Sequence, residues 1–193
     1  MRKLISAIVS GIASYVVIYF LALPTLTRYP RLAGVMERFA FTDEALWLFL
    51  FLSLWLFYVQ WERRRLSVVY LYLFYSVYGL LLFIVLFTKA QQYHSLNVNP
   101  FEMPLRTGTQ AAEFLLNVVY FIPLGILYGI RASWKEAVFL SIATILGVET
   151  LQYVFYLGTF DIWDIFTNLA GCGLGYLMCA KMKVRFVEEQ KGM

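Results

Sequence analysis

The sequence predicts an all-α, polytopic membrane protein with six transmembrane helices. Three observations carry this reading. First, 61% of the 193 residues are apolar and only 15% are charged, whereas a soluble domain holds about 45–50% and about 25%. Second, the apolar residues are gathered into six long runs, each of a length suited to about 30 Å of hydrocarbon. Third, the breaks between runs are polar, and most of them carry Lys and Arg side chains. Aromatics make up 19% of the chain, which suits interfacial belts and helix packing.

The first run, Leu4 to Leu23, follows Met1-Arg2-Lys3. It is longer than the apolar core of a signal peptide, about 7–15 residues, so it reads as a retained first span that Pro24 ends. Arg28, Tyr29, Pro30 and Arg31 then form a turn. Residues 31–41 mix Arg31, Glu37 and Arg38 with Leu32, Val35, Met36 and Phe39. That spacing fits either a short interfacial helix or an ordered loop. Glu44 to Trp61 makes the second span, and Glu62-Arg63-Arg64-Arg65 a solvated turn. Ser67 to Phe87 makes the third. Residues 88–113 form the longest polar connection, with His94, Asn97, Asn99-Pro100-Phe101, Glu102, Pro104 and Arg106. A long loop in a compact protein often serves function. Phe114 to Ile130, Ala137 to Leu157 and Ile162 to Ala180 make the last three spans, and a basic tail follows.

Six spans place both termini on one side. Eleven of the sixteen Lys and Arg fall on that side, at the N-terminus, the second and fourth connections and the tail. The positive-inside bias therefore predicts cytoplasmic termini and puts the 88–113 loop outside. The net charge of +4 reads as topology signal, with no nucleic-acid-binding pattern beside it. Cys172 and Cys179 lie on one helix, roughly 10 Å apart by helical rise, too far to bridge. They read as small packing residues. No CxxC, HExxH or Cys/His cluster occurs, so a zinc site is not expected.

Carboxylates and amides inside the last spans demand a reason, since one ionised group at the centre of a membrane helix costs roughly 2.5–3.5 kcal/mol. On the sixth span Asp161, Asp164, Asn168, Gly171 and Gly175 step by three and four and share one face. The stripe is polar at one end and small at the other, as a helix–helix contact surface is. On the fifth span Glu149 and Gln152 share a face. Glu149 and Asn168 fall at matching depths, roughly 12 Å and roughly 10 Å from the outer ends of their helices. On the fourth span Asn117, Phe121, Gly125 and Gly129 step by four. The expected pocket therefore gathers Asn117, Glu149, Gln152, Asp161, Asp164 and Asn168 near the outer surface. Arg106 is the candidate cation, and Asn99, Pro100 and Phe101 belong to the candidate cover. A polar network that only pins helices is the competing reading.

The order Asn97-Val-Asn99-Pro100-Phe101, Asn117-xxx-Phe121-Ile-Pro123-Leu-Gly125, Glu149-xx-Gln152, Asp161-xx-Asp164-xxx-Asn168-xx-Gly171 resembles the VanZ-like family of small bacterial membrane proteins. The resemblance covers about residues 70–180. It divides the chain into an N-terminal two-helix membrane segment, 1–65, and a VanZ-like four-helix domain, 66–193, in one compact unit. In the family pattern an Arg commonly precedes the first Asp of the D-xx-D element, but here Leu157-Gly158-Thr159-Phe160 precedes Asp161. The family is associated with teicoplanin resistance, so the resemblance implies a role at the bacterial cell surface and in glycopeptide sensitivity.

The residues admit several functions. One is a lipid-binding protein that takes membrane lipids, a lipid-linked envelope precursor or a lipoglycopeptide tail, with Arg106 on the headgroup anion. Another is a membrane-embedded enzyme acting on a lipid-linked phosphate or sugar, its carboxylates sharing acid and base roles or holding a divalent cation. No cofactor other than that cation is expected. A transporter fits less well, because no charged residue falls in the inner halves of spans four to six.

Overall fold

The computed structural model describes residues 2–88, 93–101, 105, 107–180 and 185–187. Its helices are α1 (Arg2–Tyr15), a π-helical segment (Val16–Ala22), α2 (Leu23–Leu26), α3 (Pro30–Met36), α4 (Thr42–Glu62), α5 (Val68–Thr88), α6 (Gly108–Arg131), α7 (Trp134–Val154) and α8 (Ile162–Ala180). Among the described residues five helical stretches are long and apolar enough to cross a membrane: Arg2–Leu26, Thr42–Glu62, Val68–Phe87, Gly108–Arg131 and Trp134–Val154. α8 is nearly as long, at 19 residues, but Asp164, Thr167 and Asn168 lower its hydropathy.

Pro24 does not end the first helix. The chain widens into the π-helical segment before it and stays helical to Leu26. A proline ring clashes with the carbonyl four residues back, and a wider turn is a usual way to relieve that. The Thr25 and Thr27 hydroxyls donate to the Leu21 and Leu23 carbonyls at 2.9 and 2.7 Å. Residues 31–36 are helical, within α3. α6 starts at Gly108, six residues before the expected Phe114, because Thr107 and Gln110 form a capping box. The polar connection is thereby shortened and Glu113 joins the helix. α7 ends at Val154 rather than Leu157, since Tyr156 adopts a left-handed φ of 58° and turns the chain.

The connections also hold short strands that helical periodicity does not signal. β1 (Arg65–Ser67) pairs in parallel with β4 (Arg185–Val187), and β2 (Tyr93–Asn97) with β3 (Leu157–Asp161). One pair thus ties the α4–α5 turn to the C-terminal segment. The other ties the α5–α6 connection to the α7–α8 connection.

α1 and α4 run antiparallel: the Trp47 indole donates to the Gly11 carbonyl at 3.3 Å and the Trp55 indole to the Lys3 carbonyl at 3.4 Å. α6 and α8 run parallel in the closest helix contact of the fold. Gly125 packs on the Cys172 backbone, Gly171 on the Val118 carbonyl, and Gly175 on Ile122 and Ile126. Beneath this seam Phe121, Ile145, Cys172 and Leu86 form one buried cluster. A second cluster joins Ile18, Ala22, Leu23, Leu26 and Leu32 to Leu116 of α6. Both cysteines are free and buried, as packing residues should be. Large apolar side chains face outward along the spans, among them Phe20, Leu73, Phe83 and Phe139. Such a surface is stable in hydrocarbon and not in water.

Candidate functional site

The polar side chains of three helices meet in one place. A cavity of about 30 Å³ is lined by Asn117 of α6, Glu149 and Gln152 of α7, and Asp164 and Asn168 of α8. Five of the residues expected to form the pocket therefore line one space. Glu149 and Asn168, expected at one depth, are each 2% exposed. The parallel packing of α6 on α8 brings Asn117 Nδ2 to Asp164 Oδ1, to which it donates at 2.7 Å. Gln152 Nε2 donates to the Leu86 carbonyl of α5 at 2.8 Å, which ties the C-terminal end of α7 to α5. Asn168 Oδ1 and the Tyr120 hydroxyl are buried with no hydrogen-bond partner among the described residues. Both residues line the cavity.

Asp161 takes a different position. Its Oδ1 accepts from the Trp163 backbone N–H at 2.8 Å, and its Oδ2 from Asn97 Nδ2 at 3.0 Å. It thus caps the start of α8 and locks β3 to β2, outside the cavity lining. Asn99 and Phe101 also stay away from the lining. The Phe101 backbone N–H donates to Asn99 Oδ1 at 3.1 Å, and the Phe101 ring is 93% exposed. Pro100 is exposed as well. Arg106 lies outside the described residues.

The N-terminal segment contributes residues that the helical spacing of the last spans did not single out. Thr25, Leu26 and Tyr29 line the cavity together with Glu113 and Tyr120. The Tyr29 hydroxyl donates to Glu113 Oε1 at 2.7 Å, across 84 positions of sequence. No local signal marks that pair. Glu113, however, lies four residues before Asn117, so an earlier start to α6 would have put both on one face.

Burial raises the Tyr29 hydroxyl well above its ordinary value of 10.0, and the hydrogen bond and charge of Glu113 push it the same way. The fold therefore favours the neutral phenol. The stabilisation it gives is complete below the ordinary pKa and is lost as pH rises through the raised one. Tyr29→Phe should cost about 1–2 kcal/mol at neutral pH by leaving Glu113 without this donor. Wild type should also lose thermal stability above about pH 10 more steeply than Tyr29→Phe does. Unfolding in detergent across pH measures both, and equal alkaline slopes would contradict the assignment.

Three carboxylates, Glu113, Glu149 and Asp164, line the cavity, and none of the described lining residues is Lys, Arg or His. Among the described residues no three His, Cys, Asp or Glu side chains are grouped so as to hold a metal ion. The cavity thus presents mainly acceptor oxygens, together with the Tyr120 hydroxyl, to whatever enters it. Its volume suits a water-sized group.

A helical, polytopic membrane protein with a buried carboxylate–amide site is the class that this fold and site define. The chain belongs to the VanZ/LLP1 family, whose model matches residues 46–183. The match begins inside α4 and takes in every cavity residue from α5 to α8. The chain is also 38% identical over 90 residues to Protein VanZ of Enterococcus faecium, an alignment covering 43% of this chain and 52% of that protein. It thus spans about half the length of that curated relative. No solved structure matches the chain.

Proposed function

We propose that this chain is a six-span, lipid-binding protein of the bacterial cytoplasmic membrane. Its buried cavity holds the polar end of an amphiphile in the outer leaflet. The amphiphile is a membrane lipid, a lipid-linked envelope precursor or a lipoglycopeptide, and its binding modulates sensitivity to glycopeptides at the surface. The observation that carries the reading is the meeting of Asn117, Glu149, Gln152, Asp164 and Asn168 on one cavity. A network that served only to pin helices would satisfy its own members, whereas Asn168 Oδ1 is buried with no partner among the described residues. Membership of the VanZ/LLP1 family agrees with an envelope role.

Two features favour α8 as a sixth span. It runs parallel to α6, as two spans separated by one other must. Each strand pair also joins connections that six crossings assign to the same side. With cytoplasmic termini the cavity residues lie toward the outer surface. Reporter fusions at residue 97 and at the C-terminus should report outside and inside respectively, and the reverse pattern would invert the site.

The binding reading is tested on protein purified from a bacterial membrane, with retained lipid quantified by mass spectrometry. Glu149→Gln and Asp164→Asn should each weaken retention about tenfold, the loss of one charge-assisted hydrogen bond. Asp161→Asn should leave retention intact, because that carboxylate caps α8 instead. Unchanged lipid and unchanged glycopeptide susceptibility in the first two variants would sink the reading.

A further inference from the structure

A second, larger space adjoins the polar cavity. It measures about 250 Å³ and lies between the π-helical segment, α3, α4, α5 and α6. Ile18, Leu32, Leu50, Phe74, Leu82 and Val119 are among its walls. Leu26, Val85, Leu116 and Tyr120 line both spaces, so the two meet there. The polar side chains of the larger chamber are few and mostly occupied. The Tyr78 hydroxyl donates to the Tyr120 carbonyl at 2.7 Å, and the Thr42 hydroxyl lies 2.9 and 2.7 Å from the Met36 and Phe39 carbonyls. Tyr120, whose hydroxyl is buried with no partner among the described residues, is one of the side chains that line both spaces.

Apolar walls give water nothing to bond, so a chamber of this kind is either dry or filled with hydrocarbon. About 150 Å³ of such space already takes an aromatic ring, and this chamber is larger. A protein surrounded by lipid fills it from the bilayer, where acyl chains are the abundant hydrocarbon. The polar end is constrained more tightly. A cavity of about 30 Å³ admits a hydroxyl or an amine but not a sugar or a phosphate. Its three carboxyl groups and the Asn168 carbonyl accept hydrogen bonds, and none of the described lining residues offers a cation to an anion.

We propose that the chamber takes the acyl chain of an amphiphile whose polar end is a small hydrogen-bond donor, a hydroxyl or an amine, seated in the cavity between Tyr120 and Asn168. This assignment rests on the lipid-binding reading above and narrows it. It places the chain between the N-terminal segment and α5–α6, and it makes Tyr120 the point where the chain gives way to the polar end.

The test uses the full chain in phosphatidylcholine vesicles. The probe is a monoacylglycerol whose palmitoyl chain carries a diazirine at its methyl end. After photolysis, peptide mass spectrometry should place the label on chamber residues such as Leu50 and Phe74. Unlabelled monopalmitoylglycerol and palmitylamine should compete it away, and palmitate should not. Leu82→Trp should reduce labelling to background, whereas Leu73→Trp, on an outward face of α5, should leave it intact. The wild-type map stands even if Leu82→Trp fails to fold. Label confined to outward residues such as Leu73 and Phe83 would overturn the assignment. So would equal competition by palmitate, or stronger competition by a polyprenol than by monopalmitoylglycerol. Chamber labelling that survives Glu149→Gln and Asp164→Asn unchanged would keep the chain where it is placed and reject the polar-cavity reading. Loss of lipid in those two variants without chamber labelling in wild type would do the opposite.

Discussion

Gly171→Val should prevent α6 and α8 from closing on each other. A Cβ at position 171 would collide with the Val118 carbonyl and press on Phe121, and both belong to the facing helix. The nearest obstacle is backbone, which cannot rotate aside as a side chain can. Gly125 and Gly175 meet the same limit against Cys172 and Ile122, so the seam is a run of small residues that sets the helix separation. Overpacking a dense contact costs about 1–3 kcal/mol and sometimes more. A backbone collision belongs at or above the upper end. The variant should elute as aggregated or expanded protein and lose its cooperative unfolding in detergent. It should also break the Asn117–Asp164 hydrogen bond, which the same seam carries. Gly173→Val is the control. Gly173 lies on the same helix with open space around it, and its substitution should be close to neutral. Equal losses in the two variants would mean that helix propensity, not seam distance, decides the outcome.

Phe121→Ala should cost about 3–5 kcal/mol, the range for a buried aromatic removed from a packed interior. Phe121 is 1% exposed and packs in the cluster that holds Ile145, Cys172 and Leu86. Its loss leaves a void in the cluster whose Leu86 also lines the polar cavity. Phe139→Ala makes the comparison. Phe139 is 71% exposed, and in a bilayer hydrocarbon replaces what the ring touched, so its removal should cost little. Equilibrium unfolding of both variants in the same bilayer mimetic measures the difference. A small difference would show that the helix seam alone, and not this cluster, holds the interior.

The long apolar helices were legible because their length and composition answer to one physical demand, the thickness of hydrocarbon. The bounds of the last helix, 162–180, could be read to the residue: Asp161 offers a cap and a charged tail follows Ala180. The convergence of Asn117, Glu149, Gln152, Asp164 and Asn168 was legible from three- and four-residue steps combined with equal depth. Where local signals competed, the weaker ones were passed over. The Thr107–Gln110 capping box stands in the sequence, but polar neighbours mask it, and Glu113 then falls in the loop rather than in α6. Pro24 carried a stop signal that the π-helical widening before it overrode. Contacts between distant segments left no local trace. The Tyr29–Glu113 pair and the five-residue pairing of β2 with β3 link positions far apart in sequence, and periodicity reports only neighbours. The apolar chamber was illegible for a further reason: a void belongs to how helices fail to touch, and no single stretch encodes it.

The two parallel strand pairs impose an order on assembly. β1 is made long before β4, and β2 long before β3. Each early strand therefore leaves the ribosome with an unpaired edge, and its partner arrives only after further helices have been threaded into the bilayer. The α5–α6 connection cannot settle until β3 has crossed to its side. The α4–α5 turn stays open until the segment after α8 is released. The bundle is thus clasped at both ends by strands made later than their partners. An insertion intermediate halted before residue 157 should expose both early strands to proteases or chaperones.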